Sequence, residues 1–175
     1  MEVSCMKQNI TIQDMVLTAL GMALVFVATM YIKVPNALDG YFNLGDGFVL
    51  LFASFLSPGL SFLAGGLGSA LADVAGGYAY YFLPTLLIKG LEAVVVSCLI
   101  RRYGEKVRIP AYLLGAVIMV TGYFLAKWYL KGNMMVAAAG IPENILQSAA
   151  GVAIAVVACP LIRRSLARSR AHSTV

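Results

Sequence analysis

From residue 12 to residue 163 the chain is apolar sequence broken only by short turn-rich or basic segments. About 20 apolar residues, rising 1.5 Å each as a helix, match the roughly 30 Å hydrocarbon core of a bilayer. Runs of that kind constrain the fold more than any motif does, because their faces need lipid or one another. Charged residues make up 12% of the 175 positions, roughly half the share of a soluble domain. A water-soluble globular fold is therefore excluded. There is room for roughly six spans in one domain, which also excludes a large carrier.

Turn signals divide the runs. The first helix is expected at about 12–33, before a loop containing Pro35 and Asp39-Gly40. The following apolar stretch is too long for one span, and Ser57-Pro58-Gly59 splits it into a short second helix at about 45–57 and a third at about 60–76. Gly76-Gly77-Tyr78 leads into a fourth at about 80–100. A fifth follows at about 110–130, and a sixth at about 142–163, opened by Pro142 in a favoured first-turn position. The expectation is an all-α integral membrane protein, a single membrane domain over 1–175 whose second helix is too short to cross a normal bilayer untouched.

The basic residues orient it. With both termini cytoplasmic, the inner side carries Lys7, Arg101, Arg102, Lys106, Arg108, Arg163, Arg164, Arg168 and Arg170, and the outer side Lys33, Lys127 and Lys131. That asymmetry follows the positive-inside rule. It also accounts for the net charge of +5 without nucleic acid. No cleavable leader is read in the first residues. Cys5, Cys98 and Cys159 are scattered, with no metal-ligand spacing, so neither a disulfide framework nor a metal site is expected.

In that orientation the polar residues of the spans collect on the outer side: Asn43 and Asp46 entering the second helix, Asp73 and Tyr78 closing the third, and Tyr80 and Tyr81 opening the fourth. Tyr123 and Lys127 leave the fifth, while Glu143, Asn144 and Gln147 open the sixth. Lys89 and Glu92 lie deeper, near the midplane, where a charge costs at least about 2.5–3.5 kcal/mol and so faces a partner or a watery cavity. An outward-facing pocket is implied. Lys89 and Glu92 can equally neutralise each other as i,i+3 neighbours, and the tyrosines can equally form an interfacial belt. Asn144 and Gln147 share a helical face, as do Tyr123 and Lys127. Amides and aromatics on such faces suit a flat, polar, uncharged heterocycle.

Small residues recur at spacing four, at Ala64, Gly68, Ala72 and Gly76 in the third helix and at Ala19 and Ala23 in the first. This spacing permits close helix approach, within the bundle for the third helix and either within it or against another protein for the first. No phosphate loop, HExxH or GxSxG is present, and the single histidine is His172. Neither an enzyme nor a covalently bound cofactor is expected, and ATP-driven transport needs another subunit.

Four segments together resemble the substrate-binding (S) component of energy-coupling factor (ECF) vitamin transporters, a prokaryotic family of six-helix membrane proteins: Phe42-Asn43-Leu44-Gly45-Asp46, Gly68-Ser69-Ala70-Leu71-Ala72-Asp73, Lys89-Gly90-Leu91-Glu92, and Pro142-Glu143-Asn144 with Gln147. The likeness is greatest to the riboflavin-related branch containing hydroxymethylpyrimidine and pyridoxine carriers. It implies a plasma-membrane protein that binds a vitamin or precursor from outside. It further implies docking on a transmembrane coupling (T) protein with two ATPases, where ATP is consumed. Ala19 and Ala23 would supply the helix motif that meets the coupling protein, and the loop bearing Asn36, Asp39 and Tyr41 would lie over the pocket as a lid. The candidate ligand contacts are Asn43, Asp46, Tyr78, Tyr81, Lys89, Tyr123, Glu143, Asn144 and Gln147. Two other readings stay open: a self-sufficient proton-coupled carrier with Asp73, Lys89 and Glu92 as a titrating relay, and a membrane protein with a purely structural role.

Overall fold

The computed structural model describes residues 10–35 and 41–172. Helix α1 (Ile12–Tyr31) opens with a capping box: the Asp14 amide donates to Thr11 Oγ1 (3.2 Å) and the Thr11 amide to Asp14 Oδ2 (3.0 Å). Such reciprocal bonds satisfy donors that the first helical turn leaves free. A short antiparallel ribbon follows, β1 (Lys33–Pro35) and β2 (Tyr41–Asn43), with Lys33 opposite Asn43. The sequence reading carried the first helix to residue 33 and foresaw no strands. The structure ends it at Tyr31 and pairs the flanks of the loop, whose Asn36 and Asp39 lie outside the described residues.

Helix α2 (Gly45–Ala53) is shorter than the expected 45–57 and, at nine residues, spans only about 14 Å. All of its residues except Phe48 are buried, so it lies in the middle of the bundle with other helices in place of lipid on every side. An apolar sequence is what that position demands, and its one charged residue, Asp46, is buried against Lys89 and Gln147. Gly47 and Gly151 let α2 and the last helix approach closely, since a Cβ at Gly47 would stand 2.8 Å from Ile154 Cβ and one at Gly151 2.7 Å from Asp46 Cβ.

Beyond a turn, Pro58 opens a helical rod in three parts: α3 (Pro58–Ser61), a π-helical turn (Phe62–Leu67) and α4 (Gly68–Ala75). It is about 27 Å long in all. The small residues noted above pack inward here. A Cβ on Gly68 would meet Met22 O at 2.8 Å, and Ala64 lies against Gly21 of α1. After a 3₁₀ turn (Ala79–Tyr81) come α5 (Phe82–Tyr103), a second 3₁₀ turn (Glu105–Val107), α6 (Arg108–Lys131), the short α7 (Met134–Ala138), which the sequence did not announce, and α8 (Ile141–His172), which continues well past the expected end at 163.

Among the described residues four helical stretches are long and apolar enough to cross a membrane: Ile12–Tyr31, Ala79–Tyr103, Glu105–Lys131 and Met134–Arg164. The core between them is built from Val25, Val49, Leu50, Ala93, Val96, Tyr112 and Ala155. At one end of the bundle, side chains of other helices satisfy the carbonyls freed where α2 stops. Leu56 O accepts from Ser97 Oγ (2.7 Å) and Arg101 Nε (3.2 Å), and Ser54 O from Arg163 Nη2 (3.1 Å). Arg163 and Arg108 also flank Glu105, at 2.5 and 3.0 Å. Helix ends buried in protein need such partners.

Candidate functional site

At the opposite end lies a cavity that opens at the surface of the bundle. Elements from both halves of the chain contribute to it: Thr29 from the end of α1, Asn43 from β2, Ser69 and Asp73 from α4, Tyr78 and Tyr81 from the turn before α5, and Thr85 and Lys89 from α5. Tyr123 and Lys127 come from α6, Gly140 from the turn after α7, and Glu143, Asn144 and Gln147 from the first turns of α8.

Eight of the nine residues expected from the sequence as ligand contacts thus border one cavity: Asn43, Tyr78, Tyr81, Lys89, Tyr123, Glu143, Asn144 and Gln147. Asp46 is the exception. It stands behind the wall, 1% exposed, because its carboxylate is engaged by two neighbours, Lys89 Nζ at Oδ1 and Gln147 Nε2 at Oδ2 (3.0 Å). Lys89 also meets Glu92 Oε2 at 3.3 Å. A lysine at this depth is held by two carboxylates, and its remaining outward face lies 5.5 Å from the centre of the Tyr123 ring. It forms the floor of the cavity.

Gln147 links the floor to the rim. Its Oε1 accepts from the Asn43 amide (2.9 Å) and from Asn43 Nδ2 (3.2 Å), and Asn43 Oδ1 in turn accepts from the Gly45 amide (2.9 Å). One side chain of α8 therefore ties β2, the start of α2 and the buried ion-pair cluster together. Buried amides that satisfy every partner in this way fix geometry.

Four tyrosines form one aromatic row, of which Tyr78, Tyr81 and Tyr123 line the cavity and the exposed Tyr80 stands outside it. Tyr78, Tyr80, Tyr81 and Tyr123 follow one another with ring centroids 6.3, 4.9 and 6.5 Å apart, separations at which tilted aromatic pairs attract. Tyr123 OH donates to Thr85 Oγ1 at 3.0 Å, which sets its ring over Lys89. Across the cavity, Gly140 leaves room for Lys127, since a Cβ there would be 3.3 Å from Lys127 Nζ.

Thr29, Ser69 and Thr85 were missed as wall residues. For two of them spacing held the signal: Ser69 stands four before Asp73, and Thr85 four before Lys89. Thr29 had none, since it sits alone at the end of an apolar helix. The π-helical turn ahead of Ser69 adds a residue to the helical register, a feature frequent at functional sites. Of the expected lid, only Tyr41 is described, as the first residue of β2. Ala19 and Ala23 lie on the exposed face of α1, beside Met15, Val16, Leu20 and Val27.

Comparison with known proteins completes the picture. The family described as ECF-type riboflavin transporter, S component, matches residues 9–167. The chain belongs to that family. Two relatives cover most of it. An "uncharacterized protein in gap 3'region" of Pyrococcus woesei is 39% identical over 132 residues, 74% of this chain and 88% of that protein. The "thiamine precursor transporter HmpT" of Lactococcus lactis subsp. cremoris (strain MG1363) is 26% identical over 162 residues, 91% of this chain and 93% of that protein. This S component is thus a multi-pass cell-membrane protein, a transporter subunit and not an enzyme, of a family that binds vitamins or their precursors. The likeness first read from the Phe42–Asp46, Gly68–Asp73, Lys89–Glu92 and Pro142–Asn144 segments with Gln147 agrees with it.

Proposed function

We propose that this S component binds a small flat heterocycle, a pyrimidine or pyridine vitamin or precursor such as hydroxymethylpyrimidine or pyridoxine, from the outer side of the membrane and passes it to an ATP-driven module. The observation that carries this reading is the cavity itself, a tyrosine wall facing an amide-bearing rim over an ion-paired floor. Aromatic faces stack on a flat ring, and Asn144 offers a donor and an acceptor to its edge. The relative named as a thiamine precursor transporter supports the pyrimidine choice.

In this reading the bundle has six helical segments with both termini inside. The basic end, with Arg101, Arg108 and Arg163, lies at the cytoplasm, and α2 rests within the bundle. Asn43, Tyr78, Tyr81, Tyr123, Glu143 and Asn144 meet the ligand. Asp46, Lys89 and Gln147 hold the floor, and Tyr41 with Asn36 and Asp39 closes over the mouth. The exposed Ala19 and Ala23 receive the T component, which carries two ATPase subunits.

Two measurements test it. Mass spectrometry of the small molecule that copurifies with the protein, followed by calorimetric titration of that molecule, should identify such a heterocycle; failure to bind any member of a vitamin panel would leave only a structural role. Replacing Ala23 by Leu should abolish uptake in cells and leave ligand affinity intact, because a bulky residue prevents close helix approach. Loss of both would remove α1 as the docking face. The buried Asp46–Lys89–Glu92 cluster favours one competing reading, a proton-coupled carrier. Accumulation in liposomes driven by a pH gradient without any ATPase would establish that alternative.

A further inference from the structure

A second concavity lies apart from the cavity, along the line where α5 and α6 meet. Its rims are Leu87 and Leu91 of α5 and Val117 and Leu125 of α6, each half exposed or more. Its bottom is the contact between the two helices, where a Cβ on Gly122 would stand 2.8 Å from Ile88 Cγ1. Thr121 is the only polar side chain along it among the described residues. Both helices belong to stretches long and apolar enough to cross a membrane, so in a bilayer this groove opens onto hydrocarbon. Measured back from the end of α6 at Lys131, it runs from about 9 Å at Leu125 to about 21 Å at Val117. The acyl chains of one leaflet occupy that range of depth.

Transmembrane helices associate through small residues or polar side chains at their contact. Here the rims are large and branched, and Gly122 is already used against Ile88, so a hydrocarbon chain suits the groove better than another helix does. At the cavity end of the bundle the same two helices finish in polar and aromatic groups. Tyr80, just before α5, and Trp128, on α6, are each 44% exposed, the composition of an interfacial belt. Lys131 Nζ lies 5.5 Å from the centre of the Tyr80 ring, which brings a cation to where the two helices end. We infer that the groove holds an acyl chain of an anionic phospholipid whose phosphate rests against Lys131. Apolar contact alone selects no lipid, because every acyl chain offers the same surface; the positive charge supplies the preference for an anionic headgroup. This site is independent of what the cavity binds.

The single tryptophan, Trp128, one turn beyond Leu125, is the reporter. Full-length protein is placed in phosphatidylcholine vesicles doped with phosphatidylglycerol or, in parallel, phosphatidylcholine brominated in its acyl chains, which quenches indole fluorescence on contact. In wild type the brominated phosphatidylglycerol should reach half-quenching at a mole fraction about 5-fold lower than the brominated phosphatidylcholine. K131Q should abolish that difference. T121F, which fills the groove from an exposed position, should raise the phosphatidylglycerol requirement to that of phosphatidylcholine, with the melting temperature and the affinity for the cavity ligand unchanged. Equal quenching by the two lipids in wild type, or quenching that neither variant alters, would overturn the inference. A dimer seen by light scattering in detergent and dispersed by T121F would also overturn it, since a second copy would then occupy the groove.

Discussion

The two ends of this bundle are both rich in polar groups, and they use them in opposite ways. At the basic end the guanidiniums of Arg101 and Arg163 and the hydroxyl of Ser97 turn inward onto the carbonyls freed where α2 stops. Arg108 and Arg163 share Glu105, and Ser54 Oγ lies 2.6 Å from the buried Tyr112 hydroxyl. That end is a latch. At the cavity end Asp46, Lys89, Glu92, Asn43 and Gln147 also satisfy one another, but beyond them a layer formed by Tyr78, Tyr81, Tyr123, Glu143 and Asn144 lines the cavity. Polar residues in a membrane protein therefore need not mark a site. They mark one where the inner layer is closed and an outer layer is left over.

The difference can be broken most forcefully at the floor. Lys89→Met leaves Asp46 and Glu92 buried side by side without their cation, so thermal or denaturant unfolding in detergent should show a loss of about 3–5 kcal/mol, with ligand binding lost alongside. A stable K89M protein would mean that the cluster does not hold the cavity. Next comes Asn144→Leu, which touches only the outer layer. Ligand affinity should weaken by roughly 1–3 kcal/mol while the ligand-free melting temperature stays near wild type. Unchanged affinity would remove Asn144 from the site.

Arg163→Ala sharpens the contrast from the other end. It removes the donor to Ser54 O and half of the Glu105 pairing, and it should lower stability by about 1 kcal/mol with no change in ligand affinity. An affinity change would show that the two ends are coupled through α2 or α8. The smallest effect is expected for Glu105→Gln. Its carboxylate is 43% exposed, so stability should fall by less than about 1 kcal/mol, and the difference should shrink further at high salt.

Much of the candidate site was legible because charge in an apolar run is costly enough to stand out. Asn43, Tyr81, Lys89, Tyr123, Asn144 and Gln147 were read from helix ends and i,i+3 or i,i+4 spacing, and the structure brings them to one cavity. Division of labour among them was not legible. Spacing places Lys89 near Glu92, yet its pairing with Asp46, 43 positions away, needs α2 to lie against α5. The same holds for Gln147 and Asn43, 104 positions apart. Hydroxyls escaped notice because Ser and Thr are cheap in a helix that offers them a carbonyl, so their mere presence carries no signal.

By itself the sequence determined that the chain lies in a membrane, roughly where its long apolar helices fall and at which of their ends the polar groups collect, since apolar run length and the cost of charge in hydrocarbon act locally. Only the tertiary structure decided that α2 stops at nine residues inside the bundle, that Asp46 serves the floor and not the wall, and that Thr29 and Ser69 reach the same cavity. Those outcomes depend on which helices approach each other closely enough for distant side chains to share a hydrogen bond, and no local pattern in the chain contains that information.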